Sequence, residues 1–269
     1  MAINFNNRWV VITGASSGIG KALAECFARE GAHLILGSLP GEKHILENIR
    51  DNLQKQHAIQ IVTIYQDFAD PDGAVKFYDQ CKKLQKQIYC LVNNAGIMAY
   101  GYFHELSHKQ QKTLININLM AYFSLMRLFI EDMIQQEEGV IINISSVSAF
   151  QPTPHHAVYG AVKAFVQSLS EAVDQECRGT GISVHTINPS YTDTPLLKKN
   201  NFPNKIWWYR ISGLAKPEDI ARKAIKAVKQ GKRLYVPGVM NALIHLFLPR
   251  LLPRKLSNII ANIVLRQER

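Results

Sequence analysis

Tyr159 and Lys163 stand four residues apart in the stretch HHAVYGAVKAF, residues 155–165. On a helix, positions i and i+4 share one face. A phenol and an ammonium so placed can be a solvated pair at the edge of a fold. They can also be an acid and the cation that tunes it, because a free phenol ionises at about pH 10 and a nearby positive charge favours the phenolate. The four letters alone do not choose. A second candidate lies near the amino end, where TGASSGIG, residues 13–20, spaces Gly14, Gly18 and Gly20 as G-x-x-x-G-x-G. Glycine lets a backbone turn sharply and approach a pyrophosphate. A helix that follows it offers free N–H groups and the positive end of its dipole. Tight packing can also demand glycine, so the place of the loop in the fold has to decide.

The elements that must carry these groups alternate along the chain. Apolar strand-like runs cover 9–14, 32–38, 59–67, 89–96, 139–146, 182–190 and 233–238. Helical periods cover 18–30, 42–56, 71–86, 108–136, 156–178 and 217–230. Buried strands each followed by an amphipathic helix predict an α/β fold, a Rossmann-like doubly wound parallel sheet with helices on both faces. In that architecture ligands lie at the carboxyl ends of the strands. The glycine loop follows the first strand, which is where a nucleotide phosphate would be held. No linker or repeat interrupts the pattern, so residues 1–269 are expected to form a single domain. Two segments depart from it: 195–215, without a clear period, and an apolar, basic tail at 239–269.

TGASSGIG, NNAG at 93–96, and Tyr159 with Lys163 together resemble the short-chain dehydrogenase/reductase family, in its branch of roughly 250 residues. The match covers about residues 7–240. Ser146 lies 13 residues before the tyrosine, and Asn118 lies on the long middle helix. The resemblance implies a nicotinamide-dependent interconversion of a carbonyl and an alcohol, with Tyr159 as acid and base. It implies that Lys163 tunes the phenol and holds the nicotinamide ribose, that Ser146 holds the substrate oxygen, and that Asn118 helps hold a water leading to Lys163. Ser145 and Asn116 are the near rivals of Ser146 and Asn118. The cofactor would lie against Gly14, Ser16, Ser17, Gly18, Ile19 and Gly20. Asp67, with Phe68 beside it, would meet the adenine; Asn94, Ala95 and Gly96 would form the wall under its ribose. Pro189, Thr192 and Thr194, in INPSYTDTP, would serve the nicotinamide amide, with Ser190 where the family usually has glycine. The 2′ substituent of the adenosine ribose would fall near Ser38, where an NAD enzyme puts an acid. With no acid there, and Lys43 and His44 nearby, the sequence favours NADP(H) and leaves NAD(H) open.

Composition narrows the alternatives. The chain has 269 residues and is 47% hydrophobic, which supports a substantial core. Its formal net charge is +10, but the basic residues are spread along the chain and no nucleic-acid-binding signature accompanies them. No nucleic-acid partner and no metal site are expected. Cys26, Cys81, Cys90 and Cys177 form no CxxC pair and read as buried thiols of a reducing compartment. Without a signal peptide or a run of 18 apolar residues, the expected location is cytoplasmic. The tail can lie in a membrane interface, cover a pocket or form a subunit contact, and Pro249 and Pro253 are expected to break any long helix in it. Trp207, Trp208 and Tyr209 suggest an apolar lid over a small carbonyl or alcohol substrate, with Met98, Tyr100, His155 and His156 as further pocket candidates. The resemblance implies a homodimer or homotetramer built on the two long helices. Two rival classes remain: a cofactor-sensing regulator and a membrane-associated interaction protein.

Overall fold

The computed structural model describes residues 3–198, 202 and 213–265. Seven parallel strands form one sheet: β1 (Trp9–Ile12), β2 (His33–Ser38), β3 (Ile61–Tyr65), β4 (Ile88–Asn93), β5 (Gly139–Ile144), β6 (Ile182–Ile187) and β7 (Leu234–Tyr235). Their order is β3-β2-β1-β4-β5-β6-β7, so the direction of winding reverses between β1 and β4. Strands covered on both faces need apolar side chains on both sides. β1 shows this in four residues. Val10 and Ile12 join a core with α1 (Gly18–Arg29), α2 (Lys43–Gln56) and α8 (Pro217–Lys229), whereas Trp9 and Val11 join a second core on the opposite face. That second face is covered by α3 (Gly73–Lys83), α5 (Ala121–Gln135) and α6 (Ala157–Glu176), and the short α7 (Pro195–Lys198) follows β6.

The expected strands overrun at their carboxyl ends, because the residues there leave the ladder to become loops. The long middle helix is also not uniform. α4 (His108–Ile115) starts at Ser107, whose hydroxyl and the Gln110 side chain form a reciprocal cap. A π-helical turn over Asn116–Met120 then joins it to α5. The whole stretch His108–Gln135 is long and apolar enough to cross a membrane by composition. It instead packs Leu125, Met126, Phe129 and Met133 into the core against the sheet. Leu125 and Phe129 thus face the sheet, whereas Phe123 and Phe165 are the exposed aromatics of α5 and α6.

All four cysteines are free and buried. The tail folds as α9 (Val239–Ala242), a π-helical turn over Leu243–Phe247, α10 (Leu248–Leu251) and α11 (Arg254–Leu265). Pro249 does not break the first of these runs. The π turn just before it already replaces the usual i to i+4 ladder, with the Leu248 N–H donating to the Leu243 carbonyl. Pro253 does end it, and α11 starts beyond. The lid aromatics Trp207, Trp208 and Tyr209 lie outside the described residues.

Candidate active site

The loops at the carboxyl ends of β1, β2, β3, β4, β5 and β6 enclose a cleft of about 370 Å³. The glycine loop forms one wall. Gly14 has φ +65°, and a Cβ there would lie 2.8 Å from Ala95 Cα. At Gly20, a Cβ would lie 2.1 Å from the Gly14 carbonyl oxygen, so α1 can approach the loop only as glycine. Asn94 braces the same loop. Its Nδ2 donates to the carbonyls of Thr13 and Gly14 at 2.9 and 3.0 Å. No side chain caps the start of α1, and its first turn carries no acid. The helix N-terminus is thus open, with its N–H groups and dipole available to an anion. These features fit a dinucleotide pyrophosphate.

Gly14, Ser16, Ser17, Gly18, Ile19, Ser38, Asp67, Phe68, Asn94, Ala95, Gly96, Pro189, Thr192, Thr194, Ser146, Tyr159 and Lys163 all line this cleft. Gly20 and Asn118 do not; they act from behind it. Asn118, fully buried in the π turn, accepts from the Ile97 N–H at 2.8 Å and donates to the Ile97 carbonyl at 2.7 Å. It thereby holds the strand of loop after NNAG. Its rival Asn116 donates to the Ala69 carbonyl at 3.1 Å and serves the β3–α3 loop instead. Ser190 has no positive φ, so that position does not need the family's glycine. Lys43 pairs with Glu47 at 3.9 Å and lies over Tyr65, away from the cleft.

Tyr159 and Lys163 are both buried, on the face of α6 that meets β5. Burial pushes the phenol of Tyr159 up to about 12, against the opposing pull of the Ser146 hydroxyl. Burial pushes Lys163 down to about 7. This differs from the lowered phenol expected from an adjacent ammonium. Nζ sits 5.7 Å from the Tyr159 ring centroid and donates at 2.8 Å to the Ile144 carbonyl, with the Tyr122 hydroxyl at 3.5 Å. Desolvation is the largest cause of both shifts. Ser145 and Ser146 divide their tasks: the Ser145 hydroxyl donates to the Lys163 carbonyl at 3.0 Å, and Ser146 meets the phenol.

Several cleft residues escape a motif reading. Glu42 enters the cleft from the 3-10 turn before α2 and accepts from the Ser16 hydroxyl at 2.6 Å. Lys163 is the only lysine or arginine among the lining residues described. Below Tyr159 on the same helix face, Gln167, Ser170 and Asp174 are buried and bonded to the sheet side: Asn188 donates to Gln167 at 2.8 Å, Asn143 to Ser170 at 2.8 Å, and the Val184 N–H to Asp174 at 3.0 Å. Their four-three-four spacing after Lys163 was the available signal. Met98, His156 and Phe202 form the outer wall, and Phe202 packs near Tyr100, His156 and Tyr191.

Comparison with known proteins agrees with this geometry. The short chain dehydrogenase family model matches residues 8–204. The very-long-chain 3-oxoacyl-CoA reductase of Rattus norvegicus is 34% identical over 253 residues, covering 90% of this chain and 76% of the relative. A short-chain dehydrogenase from Sphingobium yanoikuyae in complex with NADPH superposes with a TM-score of 0.81 at 26% identity, covering 97% of each chain. A Burkholderia phymatum short chain dehydrogenase/reductase in complex with NAD shares the fold, with a TM-score of 0.79 at 22% identity over 90% of this chain and 93% of the other. A glycine cradle at the switch in sheet order, a buried tyrosine and lysine one turn apart, and a family match across most of the fold lead to one assignment: the chain belongs to the short-chain dehydrogenase/reductase family and is an NAD(P)-binding oxidoreductase.

Proposed function

We propose that the protein interconverts a carbonyl and an alcohol on a largely apolar substrate, with Tyr159 as the acid and base. The observation that carries this reading is the phenol of Tyr159 beside the Ser146 hydroxyl in the cleft, backed by Lys163. Bound nicotinamide would supply or accept the hydride. The side chains supply the rest. Ser146 holds the substrate oxygen, and Tyr159 delivers the proton to it. The phenol carries its proton at neutral pH, as donation to a carbonyl oxygen requires. Lys163 holds the nicotinamide ribose and replenishes the proton, and Asn118 supports the route to solvent through the loop it braces.

NADP(H) is favoured by the uncharged Ser38 at the end of β2, with NAD(H) also accepted. Glu42 works against a 2′-phosphate, and its carboxylate is the term that keeps this preference small. The resemblance of the chain to a very-long-chain 3-oxoacyl-CoA reductase supports an acyl-chain carbonyl compound as substrate. The active unit is a single domain, assembled as a homodimer or homotetramer through the exposed faces of α5 and α6. A panel of ketones and 3-oxoacyl thioesters with NADPH and NADH, followed at the absorbance of the reduced cofactor, tests the reading. Turnover that survives Tyr159→Phe would overturn it.

The tail supports a further role at a membrane surface from a cytoplasmic location. Between residues 239 and 263 it exposes Met240, Phe247, Leu251 and Ile263 among other large apolar side chains, and Arg254 and Lys255 lie exposed in the same segment. Apolar side chains beside basic ones suit an anionic lipid interface. Flotation with anionic and neutral vesicles tests this; equal failure on both removes the membrane role and leaves the enzyme reading untouched.

A further inference from the structure

The inner side of the same tail encloses a second cavity of about 60 Å³. Ile244, Leu248, Leu252, Ile260, Ala261 and Leu265 supply most of its roof. Val147, Ser148, His156 and Tyr191 line both this chamber and the main cleft, so the two spaces adjoin across one shared wall. None of the described residues lining the chamber is an Asp, Glu, Lys or Arg. Its two histidines are neutral near pH 7, because burial pushes both His156 and His245 down to about 4. The roof is fastened at its far end, where the Tyr100 hydroxyl donates to the Leu265 carbonyl at 2.7 Å. Within that roof, Ala261 and Leu265 are buried.

The shared wall stands close to the chemistry. The His156 ring centroid is 6.1 Å from that of Tyr159, and His156 is 3% exposed with no hydrogen-bond partner at Nδ1. The space beside Tyr159 therefore adjoins an uncharged chamber, with the neutral imidazole of His156 in the wall between them. The chamber is far smaller than the cleft, which excludes a fused-ring body and admits a narrow chain.

We propose that this chamber receives the end of a linear alkyl or acyl chain whose carbonyl lies at Tyr159, and that the C-terminal helices thereby set the chain length the enzyme accepts. The inference rests on the assignment of Tyr159 as the reacting group. It also accounts for the inward Ile244, Leu252, Ala261 and Leu265 of the tail, set apart from Met240, Phe247, Leu251 and Ile263, which lie exposed.

The test is a homologous series of straight-chain 2-alkanones and 3-oxoacyl thioesters with the full chain, the variants Ala261→Phe and Leu252→Ala, and saturating NADPH. As the chain grows into the chamber, kcat/KM is expected to rise about fourfold per methylene, the equivalent of about 0.8 kcal/mol for each buried CH₂, and then to level off. Ala261→Phe should move the plateau to shorter chains while short substrates keep their rate, and Leu252→Ala should move it to longer chains. A plateau that stays in place in both variants overturns the proposal. If Ala261→Phe fails to fold, Leu252→Ala decides alone. If the wild type turns over no member of the series, the assignment of the reaction fails separately. Displacement of a fluorescent polyene fatty acid then reads the chamber directly: weaker binding of the polyene to a folded Ala261→Phe, or tighter binding to Leu252→Ala, supports a chain site, and unchanged affinity in both overturns it.

Discussion

Replacing Lys163 by methionine should make the cofactor-free protein more stable, and more so in acid than in base. Lys163 is 4% exposed, and burial lowers its pKa from 10.5 to about 7. Between those values the unfolded chain binds a proton that the folded chain does not hold, so stability rises as pH increases across this window. Below pH 7 both states are protonated, and the folded state carries the full burden of a buried ammonium. At about 1.4 kcal/mol for each tenfold change in proton affinity, that burden is roughly 5 kcal/mol. It shrinks as the solution pH climbs towards the unfolded pKa, by roughly 2 to 3 kcal/mol between pH 6 and pH 9. The methionine loses the bond from Nζ to the Ile144 carbonyl, but that carbonyl keeps the Tyr122 hydroxyl at 3.2 Å, and this loss does not depend on pH. Denaturant unfolding of both proteins at pH 6 and pH 9, without nicotinamide, measures the difference. A stability gap of equal size at the two pH values would refute the reasoning.

Tyr159→Phe should lower turnover by about 10²–10⁴-fold while leaving the NADPH dissociation constant nearly unchanged, since the ring stays and only the proton donor goes; fluorescence titration beside steady-state kinetics checks both halves. Ser38→Asp should weaken NADPH by about tenfold or more and spare NADH, and Glu42→Gln should tighten NADPH by a similar factor, each a like-charge effect of about 1.4 kcal/mol. Isothermal titration with the two cofactors reads these, and an indifferent Glu42→Gln would remove that carboxylate from the 2′ side of the cleft. Gly20→Ala should abolish the rise in unfolding temperature that NADPH confers, because its Cβ would meet the Gly14 carbonyl at 2.1 Å and force α1 off the loop.

Much of the fold was legible because each face of the sheet is a solid apolar layer. The run WVVI and its counterparts announce buried parallel strands, and the helices between them carry clear apolar stripes. The strand ends were not legible. Residues 13–16, 94–96 and 145–146 continue apolar or small in character, yet they peel away from the ladder to form the cleft. The cleft-lining positions that a motif marks were readable, because glycine spacing and the Tyr-Lys pair report backbone geometry that few other residues satisfy. Glu42 was hidden because it arrives from a 3-10 turn whose direction no local pattern reveals. The two sides of the tail were equally hidden. A segment rich in leucine, isoleucine and basic residues reads the same whether it roofs a chamber or faces outward, and here it does both.

The polar stripe of α6 explains how so apolar a fold can fix the positions of Tyr159 and Lys163. Lys163, Gln167, Ser170 and Asp174 lie on one helix face, and each is bonded to the sheet or the loop leaving it. Any one such bond contributes only about 1 kcal/mol net, so the set is weak evidence for stability. Its effect is on position. Sliding α6 by one turn along the sheet would keep much of its apolar contact, since Val158, Val162 and Val166 repeat at the four-residue spacing of one turn. The same slide would strand several buried polar groups at once, each at a cost of about 1–3 kcal/mol. The helix therefore has one favourable axial setting. In that setting Tyr159 stands one turn above Lys163 at the carboxyl end of β5, where Ser146 leaves the strand. Hydrophobic packing holds the helix to the sheet, and the buried polar pairs decide where along the sheet the phenol stops.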